Sequence, residues 1–187
     1  SVLSDLNREL IDLFKVVRDQ PLELAAALRL HQKKHCRDYY YHVRSQRPRL
    51  LLNKAARTLY LNRTCFNGLY RVNLSGNFNV PMGTKKNVIW DNEDFSIHSH
   101  MLNSAEIFCQ DFSETIKLAG KRDFIYVDPP YTVAHNVNGF LKYNDQIFSW
   151  DDQLRLREEL ESAALRGAKI IVSNANHESI KQLYRDF

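Results

Sequence analysis

Apolar runs and helical patterns alternate near the C-terminal end of this chain. Phe124–Val127 is an unbroken apolar run, as expected of a strand buried on both faces. Ser149 is a suitable helix N-cap, and apolar positions then recur at helical spacing up to Gly167, a typical helix terminator. A second apolar run, Lys169–Ser173, follows. Strand, helix and strand in this order predict a βαβ unit with parallel strands and a right-handed crossover.

The N-terminal end shows a similar alternation. Ser1–Ser4 is interpreted as the end of a strand that finishes at Asp5, and a helix is predicted from about Asn7 to Val17. A further short strand is predicted over Glu106–Cys109, just before Asp111. The two ends of the chain therefore predict an α/β fold.

The middle of the chain follows a different pattern. Residues from about 19 to 100 carry helical patterns, with Pro21 suited to a first helical turn and a convincing helix from Pro48 to Leu61. Asn73–Val80 is interpreted as two short strands around a turn at Ser75 and Gly76. This segment is predicted to be an insertion into the α/β part.

Charge is distributed unevenly along the chain. The formal net charge is +4, yet residues 29–90 hold 13 Lys and Arg against one acidic residue, Asp38. The segments on either side are net acidic. A basic block between acidic flanks indicates a polyanionic partner, with a nucleic-acid duplex as the obvious candidate. The alternative is a merely solvated basic surface.

Composition restricts the class of protein. No apolar stretch approaches the ~20 residues needed to span a bilayer, and no secretory signal opens the chain. The cysteines are odd in number and form no CxxC pair, which fits a reducing cytosol. A metal site is not expected, because His31, His35 and Cys36 lack a second ligand cluster. We therefore expect a soluble, cytoplasmic, monomeric protein without a membrane partner.

The apolar run Phe124–Val127 ends in Asp128, Pro129, Pro130 and Tyr131, and this motif suggests chemistry on an amine attached to a flat ring. An exocyclic ring amine is a poor nucleophile until its lone pair is localised. The Asp128 carboxylate and a backbone carbonyl near Pro129 can each accept an N–H and aim that lone pair. Tyr131 offers a face on which a flipped base can stack. The alternative is a strand that ends in a Pro-Pro turn with an N-capping Asp.

Three segments together resemble the DNA adenine-N6 methyltransferases of the GATC-methylase type. They are LSDLN around Asp5, the stretch YLNRTCFNGLYRVNLSGNFNVPMG over Tyr60–Gly83, and the DPPY motif. The resemblance implies a Rossmann-like methyltransferase sheet with an inserted, mainly helical DNA-recognition domain carrying a β-hairpin. Residues 1–18 and 101–187 would form the catalytic domain, and residues 19–100 the insertion. The implied methyl donor is S-adenosylmethionine and the implied substrate is adenine in double-stranded DNA.

The resemblance also implies roles for the acidic residues. Asp5 matches the carboxylate that binds the cofactor ribose, although a helix-capping Asp is the simpler alternative. Asp111 and Phe112 match the pair around the cofactor adenine, with a plain loop Asp beside a core Phe as the alternative. Asp128 would contact both the target amine and the methionine end of the cofactor, with Tyr131 stacked on the base.

Within the insertion, the resemblance implies a set of DNA contacts. These are Phe66, Asn67, Leu69, Arg71 and Pro81, with Lys85, Lys86 and Arg63 on phosphates. Arg71 suits a bidentate contact to guanine, Asn67 an orphaned base, and Phe66 a wedge in the base stack. Arg63 could instead be a structural ion-pair partner. Without the resemblance, Phe66 and Leu69 would be interpreted as core residues.

The chain departs from the family pattern at both ends. The glycine-rich cofactor loop is missing, since all six glycines are isolated, and the chain stops soon after the strand at Lys169–Ser173. We therefore expect a fragment or incomplete methyltransferase with weak or absent cofactor binding and little turnover, even though the DPPY motif is intact. Phe140 and Tyr143, in the segment after the DPPY motif, could close over the base or pack on the sheet edge.

Two other functions remain open from the sequence. An RNA or other amine methyltransferase would use the same DPPY chemistry. A catalytically inactive DNA-binding module would explain the missing glycine loop. The exact recognition site and biological role, such as restriction protection or repair marking, are not determined by the sequence.

Overall fold

Two short parallel strand pairs form the β-structure described in this computed structural model. Strand β1 (Val2–Asp5) pairs with β2 (Glu106–Cys109), and β3 (Phe124–Val127) pairs with β4 (Lys169–Val172). Both pairings are parallel. The four predicted strands and the parallel pairing across the predicted βαβ unit are therefore confirmed. The prediction that β3 is buried on both faces is wrong, because Phe124 and Tyr126 on one face of it are 61% and 63% exposed. With the helices described below, the four strands make a mixed α/β fold.

The structure describes residues 1–73, 75–134 and 148–187. The chain divides into two compact units, unit 1 over Ser1–Cys109 and unit 2 over Gln110–Phe187. This division by packing differs from the predicted division by function, which separated residues 19–100 from the two ends. The functional division stays a prediction.

Helices make up most of unit 1. They are α1 (Arg8–Asp19), α2 (Pro21–Lys34), α3 (Arg37–Ser45), α4 (Leu51–Thr64) and α5 (Phe95–Leu102). Pro21 occupies the first turn of α2, as predicted. Pro48 does not begin a helix, since α4 starts at Leu51 with Leu50 as its N-cap. Across the described residues, no helix has both the length and the apolar character required to cross a membrane.

The core of unit 1 combines aliphatic side chains with buried tyrosines. Its fully buried large residues include Leu24, Leu28, Tyr40, Tyr60 and Leu61. The hydroxyl of Tyr40 donates to the carbonyl of Val80 at 3.0 Å, so this polar group is satisfied inside the core. Burial raises the pKa of Tyr40, which keeps that hydroxyl protonated and able to donate.

Unit 2 is built around one long helix. It contains α6 (Phe112–Ile116), α7 (Trp150–Leu165) and α8 (Glu178–Leu183) beside the β3–β4 pair. Ser149 and Asp152 form a reciprocal capping box at the start of α7, which confirms the predicted N-cap. After α7 the chain turns at Gly167, whose φ of 95° lies in the left-handed region that glycine tolerates. The core beneath α7 contains Ile116, Phe148, Leu156, Leu160 and Ala163.

Candidate active site and nucleic-acid interface

The DPPY motif lies at the C-terminal end of β3. The backbone N–H of Ser173, directly after β4, donates to the carbonyl of Val127 at 2.8 Å, so parallel pairing continues up to the motif. Asp128 is exposed, Pro129 is buried and Pro130 is exposed. A buried proline with a fixed φ limits backbone freedom just beyond an accessible carboxylate. Open α/β sheets bind their ligands at such strand ends.

Tyr131 is held at one end and open along its ring. Its hydroxyl lies 3.0 Å from Oγ of Ser173. The residue is 44% exposed, so part of the ring remains accessible to a stacking partner. A tethered ring loses little conformational entropy when a planar ligand stacks on it.

A buried polar network supports the chain directly after the motif. The hydroxyl of Thr132 donates to the carbonyl of Phe148 at 2.6 Å. The amide of Gln153, which is 0% exposed, donates to the carbonyl of Thr132 at 3.3 Å. The amide of Asn174 in turn donates to Oε1 of Gln153 at 3.1 Å. This Thr132–Gln153–Asn174 network connects the motif to α7 and to the segment after β4.

Sequence reasoning missed this network, although Gln153 carried a detectable signal. Gln153 precedes Leu156 by three positions and Leu160 by seven, so it shares the helical face that those leucines bury. A polar side chain at such a position needs a hydrogen-bond partner. That requirement could have identified Gln153 as structurally significant.

Asp111 and Phe112, the predicted pair for the cofactor adenine, are covered by Arg155 of α7. Asp111 caps α6 through the N–H of Ser113 and also receives two hydrogen bonds from Arg155, at 2.7 and 3.0 Å. The Arg155 guanidinium lies 4.2 Å from the centroid of the Phe112 ring. These hydrogen bonds from Arg155 hold the pKa of Asp111 well below its usual range. A ligand that contacts Asp111 and Phe112 must therefore bind beside the Arg155 guanidinium or displace it.

Asp5, the other predicted cofactor acid, lies in unit 1 at the end of β1. It is exposed, and its Oδ1 accepts the N–H of Asn7 at 2.6 Å. The cap of α1 is Asn7, whose side chain accepts from the N–H groups of Glu9 and Leu10. The helix-capping alternative therefore does not account for Asp5.

Backbone contacts tie together the two ends of the predicted DNA-binding stretch. The N–H of Phe66 donates to the carbonyl of Pro81 at 2.9 Å, and that of Gly83 donates to the carbonyl of Thr64 at 2.8 Å. A Cβ on Gly83 would lie 2.4 Å from the carbonyl oxygen of Cys65, so only glycine allows this close approach. The stretch is therefore a closed loop attached to the end of α4.

The first part of this loop presents apolar and amide side chains to solvent. Phe66–Gly68 forms a 3₁₀ turn in which Asn67 has φ 52° and ψ 18°, a left-handed conformation that asparagine tolerates. Phe66 is 50% exposed and Leu69 is 36% exposed, so neither is the core residue that the alternative interpretation required. The exposure of Phe66 and Leu69 leaves both accessible to a binding partner.

The second part of the loop carries Arg71 on a small hairpin. The hairpin consists of a single antiparallel bridge between Val72 and Phe78, and the described residues on either side of the turn form no longer strand. The N–H of Gly76 donates to the carbonyl of Asn73 at 2.8 Å, which forms the predicted turn. Nε of Arg71 donates to the side-chain oxygen of Asn79 at 2.7 Å. Arg71 is exposed and is held by its own hairpin.

Among the remaining predicted DNA contacts, three residues are exposed and one forms an ion pair within the protein. Pro81, Lys85 and Lys86 are exposed. Arg63 is mostly buried and forms a two-point ion pair with Glu93, with Nη1 at 2.7 Å from Oε2, and Nη1 also donates to the carbonyl of Val88 at 2.8 Å. The structural ion-pair role that the sequence left open for Arg63 is therefore present.

The histidines weighed as metal ligands have other roles. His31 stacks on Tyr60 at a centroid distance of 4.7 Å, and Nδ1 of His35 lies 2.9 Å from the Tyr60 hydroxyl. Burial lowers the pKa of both imidazoles. Over the described ranges, no group of three or more His, Cys, Asp or Glu side chains is arranged to hold a metal ion. Phe140 and Tyr143 lie outside the described residues.

Known proteins match the whole chain. The model of the D12 class N6 adenine-specific DNA methyltransferases matches residues 1–187. A type II methyltransferase of Lactococcus lactis subsp. cremoris, M1.LlaDCHI, is 37% identical, with 100% of this chain and 69% of the relative covered. M.MjaIII of Methanocaldococcus jannaschii is 34% identical over 100% of this chain and 69% of its own length. The DNA adenine methylase of Escherichia coli K12 is 29% identical over 98% and 68%.

Parallel strands with an acidic DPPY motif at a strand end thus occur in a chain whose relatives are DNA methyltransferases. The chain belongs to the D12 class of N6 adenine-specific DNA methyltransferases. It spans about two thirds of the length of the three relatives described. Family membership confirms the class of enzyme that the sequence resemblance implied.

Proposed function

We propose that this chain transfers a methyl group from S-adenosylmethionine to N6 of adenine in duplex DNA, at GATC or a related short site. The observation that carries the proposal is the DPPY motif at the end of β3, with an exposed Asp128 carboxylate and an accessible Tyr131 ring. Membership of an adenine-specific family supports adenine as the base.

In this proposal the chain activates and orients the amine. The Asp128 carboxylate accepts one N6–H and a backbone carbonyl near Pro129 accepts the other, which localises the nitrogen lone pair. Tyr131 stacks on the flipped base while its hydroxyl remains on Ser173. Methyl transfer to N6 would break the methyl–sulfur bond and leave its electron pair on sulfur. N6 would then lose a proton, which Asp128 would accept and pass to water.

The residues available for the methyl donor fit it to different degrees. S-adenosylmethionine supplies an electrophilic methyl group on a sulfonium sulfur. Asp5 is an exposed acceptor after a parallel strand, which suits ribose hydroxyls. Oδ1 of Asp111 already accepts from both Arg155 and the N–H of Ser113, so an adenine amine would have to approach Oδ2, which accepts from Arg155. Phe112 would offer a ring that Arg155 already contacts.

Site choice is assigned to the loop over Tyr60–Gly83. Arg71 would read guanine by a bidentate contact, Asn67 would serve an orphaned base, and Phe66 would enter the base stack. Leu69 and Pro81 would add shape contacts, and Lys85 and Lys86 would hold phosphates. The exposure of these side chains on a closed loop supports this assignment.

A transfer assay tests the proposal directly. The purified protein is incubated with labelled S-adenosylmethionine and three substrates: duplex DNA containing GATC, the same duplex with that site scrambled, and RNA of the same sequence. We expect N6-methyladenine in the GATC duplex alone, formed slowly because binding of the methyl donor is expected to be weak. Asp128→Ala should lower the transfer rate by at least about 10²-fold, because it removes the group that activates the amine, while DNA binding persists. The exposed Asp186→Ala is the matched control and should retain full activity.

Each other outcome excludes a stated part of the proposal. Transfer to RNA without transfer to duplex DNA would favour the amine-methyltransferase alternative. DNA binding without transfer would favour an inactive module. Equal transfer to the scrambled duplex would refute the short recognition site and leave the chemistry intact.

A further inference from the structure

Trp90 is a large aromatic residue at the surface of unit 1, close in sequence to the predicted DNA contacts. It is 52% exposed and lies between Lys86 and the start of α5. No role was assigned to it from the sequence. A half-exposed indole offers apolar area that a ligand can cover.

The Trp90 ring is packed against the Arg63 guanidinium. The Arg63 guanidinium lies 4.9 Å from the Trp90 ring centroid, and Arg63 is itself fixed by its two-point ion pair with Glu93. The N–H of Glu93 donates to the carbonyl of Trp90 at 3.1 Å, and the N–H of Trp90 donates to Oε2 of Glu93 at 3.4 Å. These contacts close a turn and pack one side of the ring. Trp90 is therefore presented to solvent with little freedom to lose on binding.

Trp90 lines a cleft of about 340 Å³ together with Asn62, Arg63, Gly68, Lys85, Lys86 and Asn87. None of the described side chains that line this cleft is acidic. Gly68 belongs to the 3₁₀ turn that presents Phe66 and Asn67, so the cleft adjoins the predicted base-reading loop. Two ammonium groups, an amide and an open aromatic surface are the groups that bind a nucleotide through phosphate and ring.

A second cleft in unit 1 provides a useful contrast. It has a volume of about 200 Å³ and four cationic side chains, Arg8, Arg47, Lys54 and Arg57, yet Glu9 and Asp12 also line it. Asp12 pairs with Arg8 at 3.0 Å, and Glu9 lies 3.7 Å from Arg57. Two of its four cations are thus paired with carboxylates that line the same cleft. The lysines of the Trp90 cleft, in contrast, meet no carboxylate in its described lining.

We propose that the Trp90 cleft binds a nucleotide of the DNA strand that flanks the target site. Lys85 and Lys86 hold its phosphate, and the sugar or base ring packs against the open side of Trp90. This inference rests on the proposed function, because it takes duplex DNA as the substrate. It adds a non-electrostatic contact outside the base-reading residues.

Tryptophan fluorescence tests the contact without altering Trp90. The chain has two tryptophans, so Trp150→Phe leaves Trp90 as the single reporter. Titration with duplex DNA that contains the target site should quench or blue-shift its emission, and the change should saturate together with the anisotropy of labelled DNA. Inorganic polyphosphate, which supplies charge without rings, should not reproduce the change.

The salt dependence of DNA affinity distinguishes the aromatic contact of Trp90 from the phosphate contacts of Lys85 and Lys86. Trp90→Ala should weaken DNA binding about tenfold and leave the slope of log K against log salt unchanged, whereas Trp90→Phe should keep most of the affinity. Lys86→Ala should reduce that slope by about 1.

If wild-type protein binds DNA while Trp90 emission stays constant and Trp90→Ala binds normally, the inference is wrong and the proposed function stands. If the wild-type protein binds no DNA, both fail.

Discussion

The predicted DNA-binding loop of unit 1 and the DPPY motif of unit 2 are both exposed, yet the protein supports them in different ways. The loop over Tyr60–Gly83 is closed by backbone hydrogen bonds at its base and is attached to α4, whose Tyr60 is fully buried. The DPPY motif ends a short strand, and buried polar side chains hold the chain directly after it.

This difference indicates how each region responds to substitution. Backbone hydrogen bonds survive the loss of a side chain, so exposed residues of the loop can change without loss of the fold. A side-chain network fails when one member is removed, because the remaining polar groups are left buried and unpaired. The DPPY region should therefore be sensitive to substitution of the buried polar residues that support it.

The largest loss of stability is expected at Arg63, which lies in the loop stretch and is mostly buried in an ion pair. Arg63→Ala leaves Glu93, whose side chain is 14% exposed, without its partner, and should lower the free energy of unfolding by about 3 kcal/mol. Urea denaturation measures this change. The exposed Arg37→Ala is the control and should be neutral. An unchanged stability together with a reduced salt slope for DNA binding would instead make Arg63 a phosphate contact.

A somewhat smaller effect on stability, combined with a loss of activity, is expected at Gln153. Gln153→Leu keeps the side-chain volume similar but leaves the carbonyl of Thr132 and the amide of Asn174 without their Gln153 partner. We expect a loss of about 2 kcal/mol. The rate of methyl transfer should fall, while KM for DNA should change little because the loop lies elsewhere in the sequence. Gln182→Leu, an exposed position, provides the control. Full activity in Gln153→Leu would show that the network does not position the motif.

Substitution of Arg71 in the loop should change DNA specificity without changing stability. Arg71→Ala should leave the unfolding free energy within error of wild type, because the side chain is exposed and its one described partner is Asn79 on the same hairpin. Discrimination at one base pair of the site should drop by about 1.5 kcal/mol. Competition binding with single-base variants of the duplex measures the change. If the preference at every position is unchanged, Arg71 does not read a base.

The sequence predicted those features that depend on local pattern. The strand at Phe124–Val127, the N-cap Ser149 and the terminator Gly167 follow from neighbouring residues, and so does the parallel pairing of strands separated by one helix. The DPPY motif was identified as a site for the same reason, because its residues are consecutive.

Contacts between distant residues were not predictable in this way. The pair Arg63–Glu93 joins positions 30 apart, and Arg155–Asp111 joins positions 44 apart. Neither spacing belongs to a helical or strand period, so only tertiary packing brings these charges together. Asp111 was therefore predicted to contact the cofactor without any prediction of its arginine partner.

The smallest effect is expected when the Arg155–Asp111 pair is broken. Asp111→Asn retains an oxygen that can cap α6 but removes the charge that faces Arg155. Because the Arg155 side chain is 42% exposed, solvent screening limits the loss to about 1 kcal/mol at neutral pH. The hydrogen bonds from Arg155 lower the pKa of Asp111 in the folded state, so this stabilisation is present above the unfolded carboxyl pKa of about 3.9 and fades as pH falls through the folded value.

Unfolding measurements on wild type and Asp111→Asn between pH 7 and pH 3 test this expectation. The two free energies of unfolding should begin to converge below about pH 4, where the unfolded carboxyl takes up its proton, and should approach each other further as pH falls toward the lowered pKa of the folded state. Asp186→Asn, a substitution at an exposed position, should track wild type throughout. A difference that is the same at pH 7 and pH 3 would mean that the charge of Asp111 is not its source, and that Arg155 stabilises unit 2 through its contact with the Phe112 ring.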